Sequence, residues 1–109
     1  MMRLTAIETA TAQPAANDVA DLAIARLIAA AADGDIEACY ELGVTWSTGA
    51  HGVDCDLVEA HQWFNLAASQ GHREAAWCRA DISDEMTARQ IAEAQRRARQ
   101  WLNDQRRCA

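Results

Sequence analysis

Residues 30–43 read AAADGDIEACYELG, and residues 67–80 read AASQGHREAAWCRA. Laid over one another at an offset of 37 residues, they match at Ala30/Ala67, Ala31/Ala68, Gly34/Gly71, Glu37/Glu74 and Ala38/Ala75, with Tyr40 falling on Trp77. A period in the thirties, built around a glycine stop between two apolar stretches, marks a helix–turn–helix unit stacked on a copy of itself. Alanine and glycine at facing positions let helix backbones approach closely, and the aromatics are expected to fill the space between layers. The fold class follows from this pair of segments.

Working outward, helix starts and stops punctuate the rest of the chain. A first helix begins after Asn17 or Asp18, both good N-caps, and ends near Asp33, with Gly34 suited to a left-handed stop. A second covers about Ile36 to Thr48, with Ala38, Leu42 and Trp46 on one face, and Gly49 ends it. Asp56 caps a third, whose apolar stripe is Leu57, Ala60, Trp63, Phe64, Ala67 and Ala68 and whose stop is Gly71. A short fourth spans about Arg73 to Ile82. The fifth opens on a Thr87-x-x-Gln90 capping box flanked by Met86 and Ile91 as a hydrophobic staple. Its apolar side is Ile91, Ala94, Ala98, Trp101 and Leu102, with Arg89, Glu93, Arg96 and Arg99 turned away. β-Branched residues never alternate, and no hairpin turn separates apolar runs, so nothing reads as a strand. The expected protein is all-α.

At 109 residues the chain is one domain's worth, half of it hydrophobic. Residues 1–16, with the only proline at Pro14, show no clear period and read as a flexible N-terminal arm. Residues 17–104 form the helical domain, and 105–109 a short tail. Every one of the ten basic residues is arginine. The lysine-dependent mechanisms, namely the phosphate-loop lysine, Schiff-base chemistry and the Ser-x-x-Lys pair, are therefore excluded. The net charge of −6 argues against a general binder of nucleic acid or anionic membrane. No apolar run reaches the roughly 18–20 residues that span a bilayer, and Glu8 breaks any secretory-signal core, so a cytoplasmic location is expected. Cys39, Cys55, Cys78 and Cys108 then read as reduced thiols, Cys39 and Cys78 serving as small core hydrophobes.

The spacing carries a family resemblance. Glu37-Ala38-x-Tyr40-x-Leu42-Gly43-x-x-Trp46-x-x-Gly49-x-x-Gly52-Val53-x-x-Asp56 resembles the first half of a Sel-one-like repeat. That family, bacterial and eukaryotic, is related to the tetratricopeptide repeats. Ala60-x-x-Trp63-Phe64-x-x-Ala67-Ala68-x-x-Gly71-His72-x-x-Ala75 resembles its second half running into the next unit. The first helix is similar to the end of a preceding repeat. Beyond residue 75 the pattern degenerates: Arg79-Ala80 stands where Leu-Gly belongs, and Ser83-Asp84-Glu85-Met86 replaces the glycine loop. The last two helices then resemble an atypical C-terminal cap. The resemblance implies a short α/α-solenoid of about five antiparallel helices, one complete repeat flanked by partial repeats. It also implies that Leu42, Trp46, Trp63 and Phe64 are core.

Candidate chemistry is sparse. His51, Cys55, His61 and His72 invite a zinc reading, but only His51-x₃-Cys55 has ligand spacing and no second pair exists. After the repeat glycine, His72 is accounted for by packing or helix capping. Asp54 and Asp56 flank Cys55 and work against its thiolate. Some cysteine-rich secreted relatives of the resembled family are described as β-lactamases, but their regular cysteine pairing is absent here. No catalytic residue, metal or cofactor is expected, and a metal- or thiol-dependent activity at His51/Cys55 stands as an alternative.

Charge is segregated. Residues 87–109 carry six arginines against Glu93 and Asp104, whereas residues 1–86 carry four arginines against fourteen acids. The basic helix reads as a solvated face with intramolecular pairing, the alternative being a patch for an acidic partner or RNA. The resemblance places the first helix of each repeat on a concave surface, which here would carry Glu37, Tyr40, Glu41 and Val44, then Glu74, Cys78 and Asp81. Such a face suits a basic or amphipathic segment of another protein. The expected function is a non-catalytic protein–protein interaction module, with no nucleic acid or membrane partner. Self-association into a homo-oligomeric scaffold through exposed solenoid ends is the alternative.

Overall fold

The computed structural model describes residues 19–108, the side chain of Cys108 excepted. The N-terminal arm and the expected caps Asn17 and Asp18 lie outside the described residues. Five helices follow one another with no strand among the described residues: α1 (19–32), α2 (Ile36–Thr48), α3 (Leu57–Ser69), α4 (Arg73–Ser83) and α5 (Ala88–Cys108), with a 3₁₀ turn at Ala50–Gly52 between α2 and α3. The protein is all-α.

The 37-residue repeat is visible as a turn built twice. At the end of α1 the Gly34 amide donates to the Ala31 carbonyl (3.0 Å) and the Asp35 amide to Ala30 (3.0 Å). At the end of α3 the Gly71 amide donates to Ala68 (3.0 Å) and the His72 amide to Ala67 (3.1 Å), with each donor and acceptor shifted by the repeat length. Gly34 and Gly71 sit at φ +96° and +99°, a left-handed conformation that a Cβ would strain. The following residue caps the next helix both times. The Asp35 carboxylate accepts from the Ala38 amide (3.3 Å), and His72 Nδ1 accepts from Ala75 (3.1 Å).

Helix α3 is the centre of the molecule. Helices α2, α4 and α5 all pack on it, and α2 also touches α4. Leu42, Phe64 and Leu66 are completely enclosed, in one cluster with buried Ala38, Ala60, Ala67, Ala75 and Ala98. The alanines keep the helices close, and one glycine brings α2 closer still. A methyl group on Gly43 would overlap the Phe64 ring, so the α2–α3 contact requires its absence.

Consecutive helices are not always the ones that pack. Helix α5 leans on α3 rather than on α4. It starts with the Thr87/Gln90 capping box, whose two reciprocal bonds measure 2.9 and 3.1 Å. It is held by an edge-on contact between Trp101 and Trp63, ring centroids 4.9 Å apart. Trp63 Nε1 also donates to Glu59 (3.2 Å), and Arg97 reaches the other oxygen of the same carboxylate (3.1 Å).

Some packing differs from the sequence reading. Trp63, Phe64 and Leu42 are core, but Trp46 is only half-buried at its edge. Leu102 is exposed, because α5 meets α3 along the line of Ala94, Ala98 and Trp101, and Leu102 lies beyond that line. Cys39 is buried, its thiol pushed up to about 11 by burial and then by Asp35. Cys78 is half-buried at the rim rather than in the core. The last helix continues through residues 105–108, where Arg106 and Arg107 complement its C-terminal dipole.

Candidate partner-binding face

The contact between α2 and α4 assembles most of the expected face. His72, the N-cap of α4, organises it. Because its Nδ1 accepts the Ala75 amide, the ring proton lies on Nε2, which donates to the Glu37 carboxylate at 2.9 Å. The imidazole also stacks on Tyr40, with centroids 4.4 Å apart and planes 15° apart. Tyr40 tilts against Phe64 on its way to the core, centroids 5.9 Å apart.

Cys78 and Glu74 of α4, and Glu37 of α2, lie near enough to act on the Tyr40 phenol. Burial, then Cys78, Glu74 and Glu37, hold its pKa above the ordinary value. The Cys78 thiol is likewise raised, by burial first; the neighbouring Tyr40 works the other way, and Asp81 and Glu74 add to the rise. Glu37, Tyr40, Glu74, Cys78 and Asp81 are thus one neighbourhood. Glu41 is exposed and Val44 half-buried one and two turns further along α2.

At the upper end of this face the two repeat turns enclose a shallow groove of about 510 Å³. Asp35, Glu37 and His72 line it with the glycines of both turns. The groove adds the Asp35 carboxylate beside that of Glu37. Its chemistry matches the rest of the face.

One residue departs from the sequence reading. Trp77, expected as filler between layers, is 63% exposed. Tyr40, its repeat equivalent, is covered by His72 and Phe64, but no described element lies over the corresponding side of α4. His72 both caps and packs, in line with the sequence reading; that its packing partner is Tyr40 of α2 is decided by the fold.

No family model matches the chain. No curated protein and no solved structure matches it either.

The competing locations have different geometry. His51 sits exposed in the 3₁₀ turn with φ 58°, and Cys55 is exposed with its Sγ donating to the Ser47 carbonyl at 3.3 Å. Among the described residues, no group of three or more metal-binding side chains comes together. On α5, Arg96 and Arg97 both bind Glu93 (2.7 and 2.8 Å), whose carboxyl they hold down to about 2. Arg97 also bridges to Glu59, so part of the basic helix is neutralised within the fold. Among the described residues, no helix is long and apolar enough to cross a membrane.

Proposed function

We propose that this chain is a non-catalytic interaction module of the Sel-one-like, tetratricopeptide-like kind, working in the cytoplasm and presenting the acidic α2–α4 face to a basic or amphipathic segment of another protein. The observation that carries this reading is the His72 junction. It holds Glu37 and Tyr40 of α2 beside Glu74 and Cys78 of α4, so that acidic side chains surround one half-buried aromatic on a rigid support. Preorganised charge of one sign steers and orients a partner of the other. Support for the solenoid reading comes from the twice-built turn at the 37-residue offset.

The test is capture from host lysate by the purified chain, at low and high salt, against a Glu41→Lys/Glu74→Lys control. Glu37 is left intact because it also holds His72. A specific partner lost in the control and at high salt supports the face. A partner that ignores the substitutions moves the site elsewhere.

One observation favours a second reading, self-association. Helix α1 leaves Val19, Leu22 and Ile28 exposed, 68%, 50% and 37% respectively. Val19 and Leu22, three residues apart, form one exposed apolar patch that a second copy would cover. Light scattering across concentrations decides it, and a constant monomer mass removes it.

A further inference from the structure

We propose that Trp77, on the open side of α4 next to the acidic face, is its anchor and receives an arginine side chain of the partner segment, the guanidinium lying on the indole between the carboxylates of Glu74 and Asp81. This rests on the partner-binding reading above and names the group recognised.

The chain has four tryptophans, and Trp77 is the one held out in solvent: it is 63% exposed, whereas Trp63 is 3% exposed. A large aromatic carries much of the energy of an interface when it is covered, and tryptophan and arginine are the residues enriched at such anchors. Its surroundings select the occupant. Glu74 is three residues before it and Asp81 four after, so both lie on its side of α4, and both are exposed. Neither takes part in an ion pair among the described residues. Asp84, one turn beyond Ala80, extends the same side and is also exposed. Arg79 of α4 is turned to Asn65 of α3, which it binds at 2.6 Å, and so leaves these charges standing. Arg73, a turn before Trp77, is the one arginine of α4 itself on this side.

An indole face flanked by carboxylates discriminates between cations. A guanidinium is planar and weakly hydrated: it stacks on the ring and at the same time donates in its own plane to carboxylates on either side. An ammonium is a compact, strongly hydrated charge and gains less from the ring. Charge complementarity therefore fixes a basic partner, and the aromatic makes arginine the preferred base.

The probes are two synthetic dodecapeptides, (Ala-Ala-Arg)₄ and (Ala-Ala-Lys)₄, with (Ala-Ala-Leu)₄ as an uncharged control, titrated calorimetrically into the full chain at low salt. The arginine peptide should bind about fivefold more tightly. Trp77→Ala should bring the two affinities together by weakening the arginine peptide, while Trp77→Phe should keep part of the preference. The position is exposed, so these variants should melt with the parent, and that is measured alongside. Equal affinities in the parent, or a preference that survives Trp77→Ala, overturn the arginine assignment and leave the acidic-face reading standing. Binding of neither peptide overturns both. Tighter binding of a leucine-for-arginine peptide makes Trp77 an apolar anchor and overturns the assignment. So does a parent chain whose mass rises with concentration and falls back in Trp77→Ala, which would make the occupant a second copy.

Discussion

The imidazole of His72 lies nearly parallel to the phenol ring of Tyr40, at a centroid distance of 4.4 Å, although 32 positions separate them in the chain. The same ring caps α4 through Nδ1 and binds Glu37 through Nε2. One side chain thus starts a helix, fixes the neighbouring helix and orients a carboxylate of the proposed binding face.

Replacing His72 separates these contributions. His72→Ala removes the cap and the stack and should destabilise the chain by about 1–2 kcal/mol in urea unfolding. His72→Asn keeps an N-capping side chain and should recover part of the loss. Equal losses in the two variants would mean that the cap contributes nothing.

Gly43 should not tolerate even one methyl group. Alanine gains about 1 kcal/mol of helix propensity, but its Cβ would overlap the buried Phe64 ring. Overpacking of this kind costs about 1–3 kcal/mol, so Gly43→Ala should lower the unfolding midpoint. Phe64→Leu in the same chain should relieve part of the clash, and a raised midpoint for Gly43→Ala alone would show that the ring moves aside freely.

Two tryptophans should behave oppositely. Trp63 is buried, meets Trp101 edge-on and donates to Glu59, so Trp63→Ala should cost about 3–5 kcal/mol and loosen α5. Trp77→Ala should change stability by less than about 0.5 kcal/mol. Thermal melts read both, and an unchanged melt for Trp63→Ala would contradict the α3–α5 packing.

His61 should make stability depend on pH. It is 2% exposed, and its Nδ1 has no hydrogen-bond partner among the described residues. Burial, and secondarily Arg79, lower its pKa below the ordinary value near 6.5. Above pH 6.5 the ring is neutral in both folded and unfolded chains, and its contribution is constant. Below it the unfolded chain takes up a proton that the folded chain resists, so stability falls with decreasing pH, by at most about 1.4 kcal/mol per pH unit. His61→Leu should flatten this limb between pH 6.5 and 5 in urea titrations. An identical slope in the variant would assign the effect to other groups.

Much of this was legible in the sequence because it is local. Glycine stops, N-caps and the capping box act within four residues, so α2 through α5 begin at the expected positions. The offset of 37 likewise announced two equivalent turns, since each needs only a left-handed glycine and a following cap. The acidic candidates of the face came from the resemblance, which assigns the first helix of each repeat to a concave surface. Their common neighbourhood was not legible, because it depends on α2 touching α4.

What only the tertiary structure decided is which neighbour each helix keeps. Tyr40 and Trp77 are equivalent in sequence, yet one ring is stacked under His72 and the other stands in solvent. Burial is a property of what lies opposite, and the repeat pattern does not state where the stacking ends. The same holds for α5, whose apolar stripe predicted a partner without naming it; Trp101 meets Trp63 of α3, and α4 is left with an open side. Helix formation follows from nearest-neighbour chemistry, whereas packing partners follow from shape and distance across the whole chain.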